Sequence, residues 1–409
     1  MALKSVIIVG GGIAGFAAAR ELRSRGFGGQ VSIIDPEGLP YDRPPLSKDY
    51  LLGTRSREQL LLAGEGWFQE QRISVLTGSA AALKPDEGVV LLEDGRELAA
   101  DKMVLATGAA ARRLDIPGGE LETVLGLRNR TDADRLRARL HPGVRLVIIG
   151  AGLIGAETAS AALALGADVT LIDPVDPPLV PAVGQALAQR LHRMHTARGI
   201  DVITGIPASI TADGPGYRIA VEGGADRSAD LVLVGIGIVP RTELAASAGL
   251  DTDNGILVDE HQRSSHPNVY AVGDAARTRL PDGTLLRRAE HWEHARTTGS
   301  TAAAALLGQE LPVHGASWFW SDRHGVHVEG AGSMAAEGAA AGEGRVVVRE
   351  RDGLPAASFR LDAEDRMQGC AAIDGGFTVR AARRIIDRGI PVDPAKLADP
   401  AVDLRKLAR

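Results

Sequence analysis

Gly10, Gly12 and Gly15 form the pattern Gly-x-Gly-x-x-Gly, and Gly150, Gly152 and Gly155 form it again about 140 residues later. A loop of this kind can hold the pyrophosphate of a dinucleotide. The first glycine permits a tight turn, the second lets the phosphates approach the backbone, and the third lets a helix pack close on a strand. The N–H groups and positive dipole end of that helix then face the phosphates. Asp35 and Asp173, each about 20 residues beyond its glycines, supply a carboxylate that can accept hydrogen bonds from an adenosine ribose.

Such chemistry needs a strand before each turn, a helix after it and a second strand ending at the acid. Both copies supply them. Ser5 to Val9 and Val31 to Ile34 flank the first helical stretch, and Arg145 to Ile149 and Val169 to Ile172 flank an alanine-rich second one. The repeat in full context predicts two bound dinucleotides.

Only one cysteine is present, Cys370. An internal disulfide, a redox dithiol, a multi-cysteine zinc site and a cysteine-ligated cluster are therefore excluded, and electron chemistry must run through a bound organic cofactor. Two histidine pairs, His192/His195 and His291/His294, have a spacing that could serve a metal on one helix face. Neither pair has a third ligand cluster beside it, so no metal site is expected. The net charge of −6 argues against a nucleic-acid surface. No stretch reaches the ~20 apolar residues of a membrane span. The run Val6 to Val9 flows into a glycine turn instead of a cleavage site, and a cytoplasmic location is expected.

With 409 residues, two or three domains are expected. Lys102 to Ala106, Leu231 to Val234 and Asn268 to Val272 read as further strands, leading into Thr107-Gly108, Gly235-Ile236-Gly237 and Gly273-Asp274. Beyond Gly315 an aromatic cluster, Trp318-Phe319-Trp320, opens a segment with alternating runs at Arg345 to Val348 and Ala357 to Leu361. A basic helix from Phe377 to Arg388 follows, and this end reads as a separate α+β domain. Ala335 to Gly344 reads as a loop or hairpin tip.

The chain resembles the flavoprotein reductases that feed electrons to bacterial Rieske oxygenases and cytochromes P450: the ferredoxin, putidaredoxin and rubredoxin reductases of the glutathione-reductase-like fold. Tyr41-Asp42-Arg43-Pro44-Pro45-Leu46-Ser47-Lys48, Ala106-Thr107-Gly108, Gly273-Asp274 and Trp318-Phe319-Trp320-Ser321-Asp322 carry the resemblance, which spans essentially the whole chain. It implies an α/β fold with two Rossmann-like dinucleotide-binding domains, for FAD and NAD, plus the C-terminal α+β domain. The FAD domain would comprise 1–108 and 238–314, the NAD domain 109–237, and the last domain 315–409.

The resemblance also implies residue roles. Gly10, Gly12, Gly15, Asp35, Arg43, Lys48, Thr107, Gly108, Arg128, Gly273, Asp274, Trp292 and Trp320 would serve FAD. Gly150, Gly152, Gly155, Glu157 and Asp173 would serve NADH. Lys48 would lie beside the reactive flavin nitrogen with Glu157, on the first turn of its helix, as ionic partner; Trp320 would close over the flavin. Hydride would pass from the nicotinamide to the flavin, and electrons would leave singly to a ferredoxin-type iron–sulfur protein. Arg287, Arg288, Arg296 and Arg323 are expected to offer cations to an acidic carrier. A disulfide or peroxide reductase of this fold would need a redox cysteine near Pro44 to Lys48, where none occurs. An NADH oxidase, or a non-enzymatic flavoprotein resembling apoptosis-inducing factor, remains as the alternative. The chain departs from the family at Arg323, often glutamine there, and at Ser317, usually proline.

Overall fold

A computed structural model describes residues 3–335 and 344–408. The segment read as a loop at Ala335 to Gly344 falls almost wholly outside them. Contacts divide the chain into two compact units. The first holds Met1–Pro45, Arg55–Ala110 and Ile238–His314; the second holds Leu46–Thr54, Ala111–Gly237 and Gly315–Arg409.

In the first unit, five strands form a parallel sheet in the order Val269–Ala271, Lys102–Leu105, Ser5–Val9, Gln30–Asp35, Ile73–Thr77. The strands are runs of Val, Ile and Leu because helices or further sheets cover both faces, as parallel sheets require. The helix Ile13–Ser24 packs against Trp292–Leu306 through small residues: a Cβ on Gly299 would collide with the Ala14 carbonyl. This half also holds a three-stranded antiparallel sheet, Ala80–Lys84, Val89–Leu92 and Glu97–Ala99, and a two-stranded parallel one, Ile256–Val258 with Ala276–Thr278.

The second unit repeats the plan. Its parallel sheet runs Asp201–Thr204, Asp168–Asp173, Arg145–Ile149, Leu231–Val234, Val124–Leu125, again with a three-stranded antiparallel partner, Pro207–Asp213, Gly216–Val221 and Arg227–Ala229. Residues 46–54 join this unit because Leu51 is buried with Leu136, Leu146 and Ala159.

The C-terminal end forms a five-stranded antiparallel sheet in the order Trp318–Arg323, Val326–Gly332, Met367–Ile373, Leu354–Leu361, Arg345–Arg351. The helix Gly376–Arg388 buries Val379, Ala382 and Ile385 against it. On its other side Val328, Ala371 and Ile373 pack on Val183, Leu187 and Leu191, which belong to the same unit. Among the described residues no helix is long and apolar enough to cross a membrane.

Candidate functional site

Each glycine turn has the form that a phosphate cradle needs. Gly10 and Gly150 adopt φ of +111° and +103°, and a Cβ on either would collide with or crowd a neighbouring carbonyl, Ala106 or Gly235. Gly12 and Gly152 stand at the helix N-caps with no side-chain cap and with open space where a Cβ would point. The first-turn N–H groups are thus directed at a position where a side chain would obstruct a phosphate. This donor set fits a dinucleotide pyrophosphate at both turns.

The two acids repeat one arrangement. Asp35 Oδ2 accepts from Gly11 N–H at 2.6 Å and Oδ1 from Glu37 N–H at 2.8 Å. Asp173 Oδ2 accepts from Ala151 N–H at 2.7 Å and Oδ1 from Val175 N–H at 2.9 Å. Each carboxylate therefore holds its glycine turn and caps its own loop while keeping lone pairs for a ribose.

Other expected cofactor residues of the first unit converge on their own half. Trp292 Nε1–H donates to Asp42 Oδ1 at 2.7 Å, tying the 41–48 motif to a helix 250 residues away in sequence. The Arg43 guanidinium lies 6.0 Å from the Tyr41 ring centre. Thr107 Oγ1 donates to the Arg241 carbonyl at 2.9 Å, and Arg241 N–H returns a bond to the Gly108 carbonyl. Gly273, at φ +68°, donates to Thr298 Oγ1 and has no room for a Cβ beside Ala14. Asp274 sits in a single 3-10 turn, Gly273–Ala275, followed by a strand; no helix starts there. Arg128, in the second unit, precedes the Asn129 cap of the helix Arg130–Arg137, its N–H bonded to Asp132.

A buried polar cluster lies around Glu157 in the second unit. Glu157 is 4% exposed and occupies the second turn of Leu153–Ala164, not the first as its place after the glycines suggests. Its carboxylate therefore lies beyond the reach of the helix's unpaired N–H groups and takes side-chain partners instead. Ser47 Oγ donates to Oε2 at 2.5 Å and Ser321 Oγ to Oε1 at 2.6 Å. Lys48 Nζ lies 3.6 Å from Oε1 and 3.2 Å from Asp322 Oδ2.

Strand alternation explains which residues meet. Along Trp318–Arg323, Ser321 and Arg323 turn inward and are buried, while Trp318, Trp320 and Asp322 take the half-exposed face. Trp320 stacks on Trp318 with ring centres 4.9 Å apart, and Lys48 Nζ lies 5.7 Å from the Trp320 ring. Asp322 Oδ1 meets His327 Nδ1 at 2.5 Å across the hairpin. Burial opposes ionisation of Asp322, yet the bond from His327 and the charge of Lys48 hold its carboxyl below the ordinary value.

Arg323 and Arg288 correct an expectation. Arg323 is 3% exposed and donates to Ser321 Oγ at 2.8 Å, so it supports the Glu157 cluster and offers no cation to a partner. Burial pulls it down to about 10 against the opposing pull of Glu157 and Asp322. The Arg288 side chain is 6% exposed, paired with Glu290 and bonded to the Asp274 carbonyl. Arg287 and Arg296 stay accessible. Sequence reasoning also missed Ser47 and Ser321, although both lie inside the motifs it singled out.

The histidine pairs take separate structural roles. His291 caps the helix Trp292–Leu306, its Nδ1 accepting from His294 N–H. His195 is buried and shares a 2.9 Å hydrogen bond with His324. Among the described residues no group of three or more His, Cys, Asp or Glu is placed to hold a metal. Cys370 is fully buried in the strand Met367–Ile373, and burial pushes its thiol well above the ordinary range.

Residues 4–299 match the pyridine nucleotide-disulphide oxidoreductase family and residues 318–408 match the reductase C-terminal family. Rhodocoxin reductase of Rhodococcus erythropolis is 36% identical over 405 residues, covering 98% of this chain and 93% of the relative. Putidaredoxin reductase of Pseudomonas putida is 33% identical over 412 residues, covering 98% and 96%. The chain belongs to this family of ferredoxin reductases. A solved covalent complex of putidaredoxin reductase with putidaredoxin superposes with a TM-score of 0.90 at 32% identity, covering 100% of this chain and 98% of that one. Despite the word disulphide in the family description, this member has no dithiol: its one cysteine is buried and alone.

Proposed function

We propose that this flavoprotein oxidises NADH and delivers electrons one at a time to a small ferredoxin-type iron–sulfur protein serving an oxygenase. The observation that carries the reading is the end-to-end similarity to reductases of that kind, across 98% of the chain. Bound FAD supplies the exchange between a two-electron donor and one-electron acceptors. On this reading 1–108 with 238–314 form the FAD domain, 109–237 the NAD domain and 315–409 the terminal domain. Gly10, Gly12, Gly15 and Asp35 hold FAD at the first turn, with Arg43, Thr107, Gly108, Arg128, Gly273, Asp274 and Trp292 as further contacts. Gly150, Gly152, Gly155 and Asp173 hold NADH at the second. Lys48, Glu157 and Trp320 orient and tune the flavin, and the protein works in the cytoplasm.

Purified protein should be yellow and release FAD on denaturation. With NADH it should reduce a [2Fe–2S] ferredoxin far faster than it consumes oxygen. Vigorous oxygen uptake indifferent to added ferredoxin would favour the NADH oxidase reading. Carrier reduction should also slow as salt rises, through Arg287 and Arg296 meeting an acidic partner.

A further inference from the structure

The proposed reaction leaves one proton to be disposed of. NADH surrenders a hydride, which is two electrons and a proton. Each ferredoxin accepts a single electron and no proton. For every NADH, two carriers are reduced, one NAD⁺ forms and one proton must reach water.

A hydrogen-bonded line of side chains in the second unit leads from the buried cluster to solvent. Lys48, its side chain 13% exposed, places Nζ 3.2 Å from Asp322 Oδ2; Asp322 Oδ1 lies 2.5 Å from His327 Nδ1, and Asp322 and His327 are both nearly half exposed. The line starts at Lys48 because the neighbouring Glu157 oxygens already accept from Ser47 and Ser321. Its outer end is fixed by the hairpin. Asp322 and His327 face one another in the antiparallel register of Trp318–Arg323 and Val326–Gly332. His327 N–H donates to Asp374 Oδ1 at 2.8 Å, and its Nε2 lies 3.9 Å from Glu329 Oε1, itself bonded by Trp318 Nε1–H. Asp322 and Glu329 face the imidazole, Asp374 holds the His327 backbone N–H, and Lys48 bears on the ring through Asp322. Burial opposes its ionisation, yet the bond from His327 and the charge of Lys48 hold the Asp322 carboxyl below its ordinary value. Imidazole is the side chain that both takes up and gives up a proton near neutral pH.

We propose that Lys48, Asp322 and His327 form a proton-exit relay, with His327 as the port to solvent. The inference rests on the reductase reading and on Lys48 serving the flavin. An N–H bond at Lys48 Nζ breaks as an O–H bond forms at Asp322, and Lys48 would regain its proton from the N–H bond that the reduced cofactor loses on reoxidation. The proton then moves from Asp322 to His327 Nδ1, and Nε2 releases one to water. No electrons travel along this line.

The test uses the full FAD-loaded chain, reduced with one equivalent of NADH and mixed rapidly with excess ferredoxin in weak buffer containing a pH-indicator dye. Wild type should release its proton in step with carrier reduction. His327→Ala should slow that release by about tenfold or more, and added imidazole should restore it. Release as fast as wild type, or a loss that imidazole does not restore, would overturn the relay. NADH-driven bleaching of the flavin without carrier releases no proton and reports separately on the reductase reading. A wild type that fails to bleach sinks that reading and the relay together; a wild type that bleaches and turns over beside an unimpaired variant sinks the relay alone.

Discussion

Removing the Glu157 carboxylate should be among the costliest single changes in the second unit. Glu157→Ala takes away the acceptor for two buried hydroxyls, Ser47 and Ser321, held at 2.5 and 2.6 Å. A buried polar group left unsatisfied costs about 1–3 kcal/mol. Lys48 keeps Asp322 as a partner, so it is not stranded, but buried Arg323 loses the charge of Glu157, which opposes the effect of burial on it. Breaking a buried ionic cluster by deleting one member typically costs about 3–5 kcal/mol, which sets the expectation here. Glu157→Gln keeps one acceptor oxygen and the shape, and should lose about 1–2 kcal/mol by the same reasoning. The assay is urea unfolding of wild type and both variants followed by circular dichroism, with flavin content measured in parallel. If Glu157→Ala unfolds within about 1 kcal/mol of wild type, the cluster contributes no net stability. If Gln costs as much as Ala, charge outweighs hydrogen bonding.

The His195–His324 pair should make stability fall with acidification. Burial, with the field of His324 and Arg323, lowers His195 to about 3, and burial, with the charges of Arg198 and Arg323, lowers His324 to about 4. Between the ordinary imidazole value of about 6.5 and those values, the unfolded chain binds protons that the folded chain refuses, so stability present above pH 6.5 drains as pH falls. Unfolding measured from pH 8 to 4.5 should show that slope, and His195→Gln should flatten it; an unchanged slope refutes the assignment. Asp173→Ala combined with Val175→Arg should narrow the preference for NADH over NADPH by roughly tenfold or more in kcat/KM, because a 2′-phosphate then meets a cation in place of a carboxylate. Equal use of both nucleotides by wild type would remove Asp173 from the explanation. Trp320→Ala should shift flavin absorbance and slow electron transfer while costing only about 0.5–1.5 kcal/mol for the lost stacking on Trp318. A large stability loss with a normal flavin spectrum would make the indole structural.

What the sequence determined by itself is what short segments decide. A β-branched run, a glycine turn, a helix and an acid form a unit whose geometry depends on a few dozen contiguous residues, so both nucleotide folds, the fold class and the absence of a dithiol are legible residue by residue. Gly10 and Gly150 announce their turns because only glycine tolerates the backbone there. The partners of the charged residues are another matter. Ser47 and Glu157 are 110 positions apart, Glu157 and Ser321 are 164, and His195 and His324 are 129. Nothing near any of them in sequence marks the other. Arg323 looks like a surface cation in the sequence, but strand alternation turns it inward onto Ser321. Glu157 looks like a first-turn acid, but the helix begins four residues before it and its partners come from two other segments. Such pairings exist only once sheet order and helix packing bring distant faces together, because burial and hydrogen bonding are decided by which side of an element a residue occupies and what covers it.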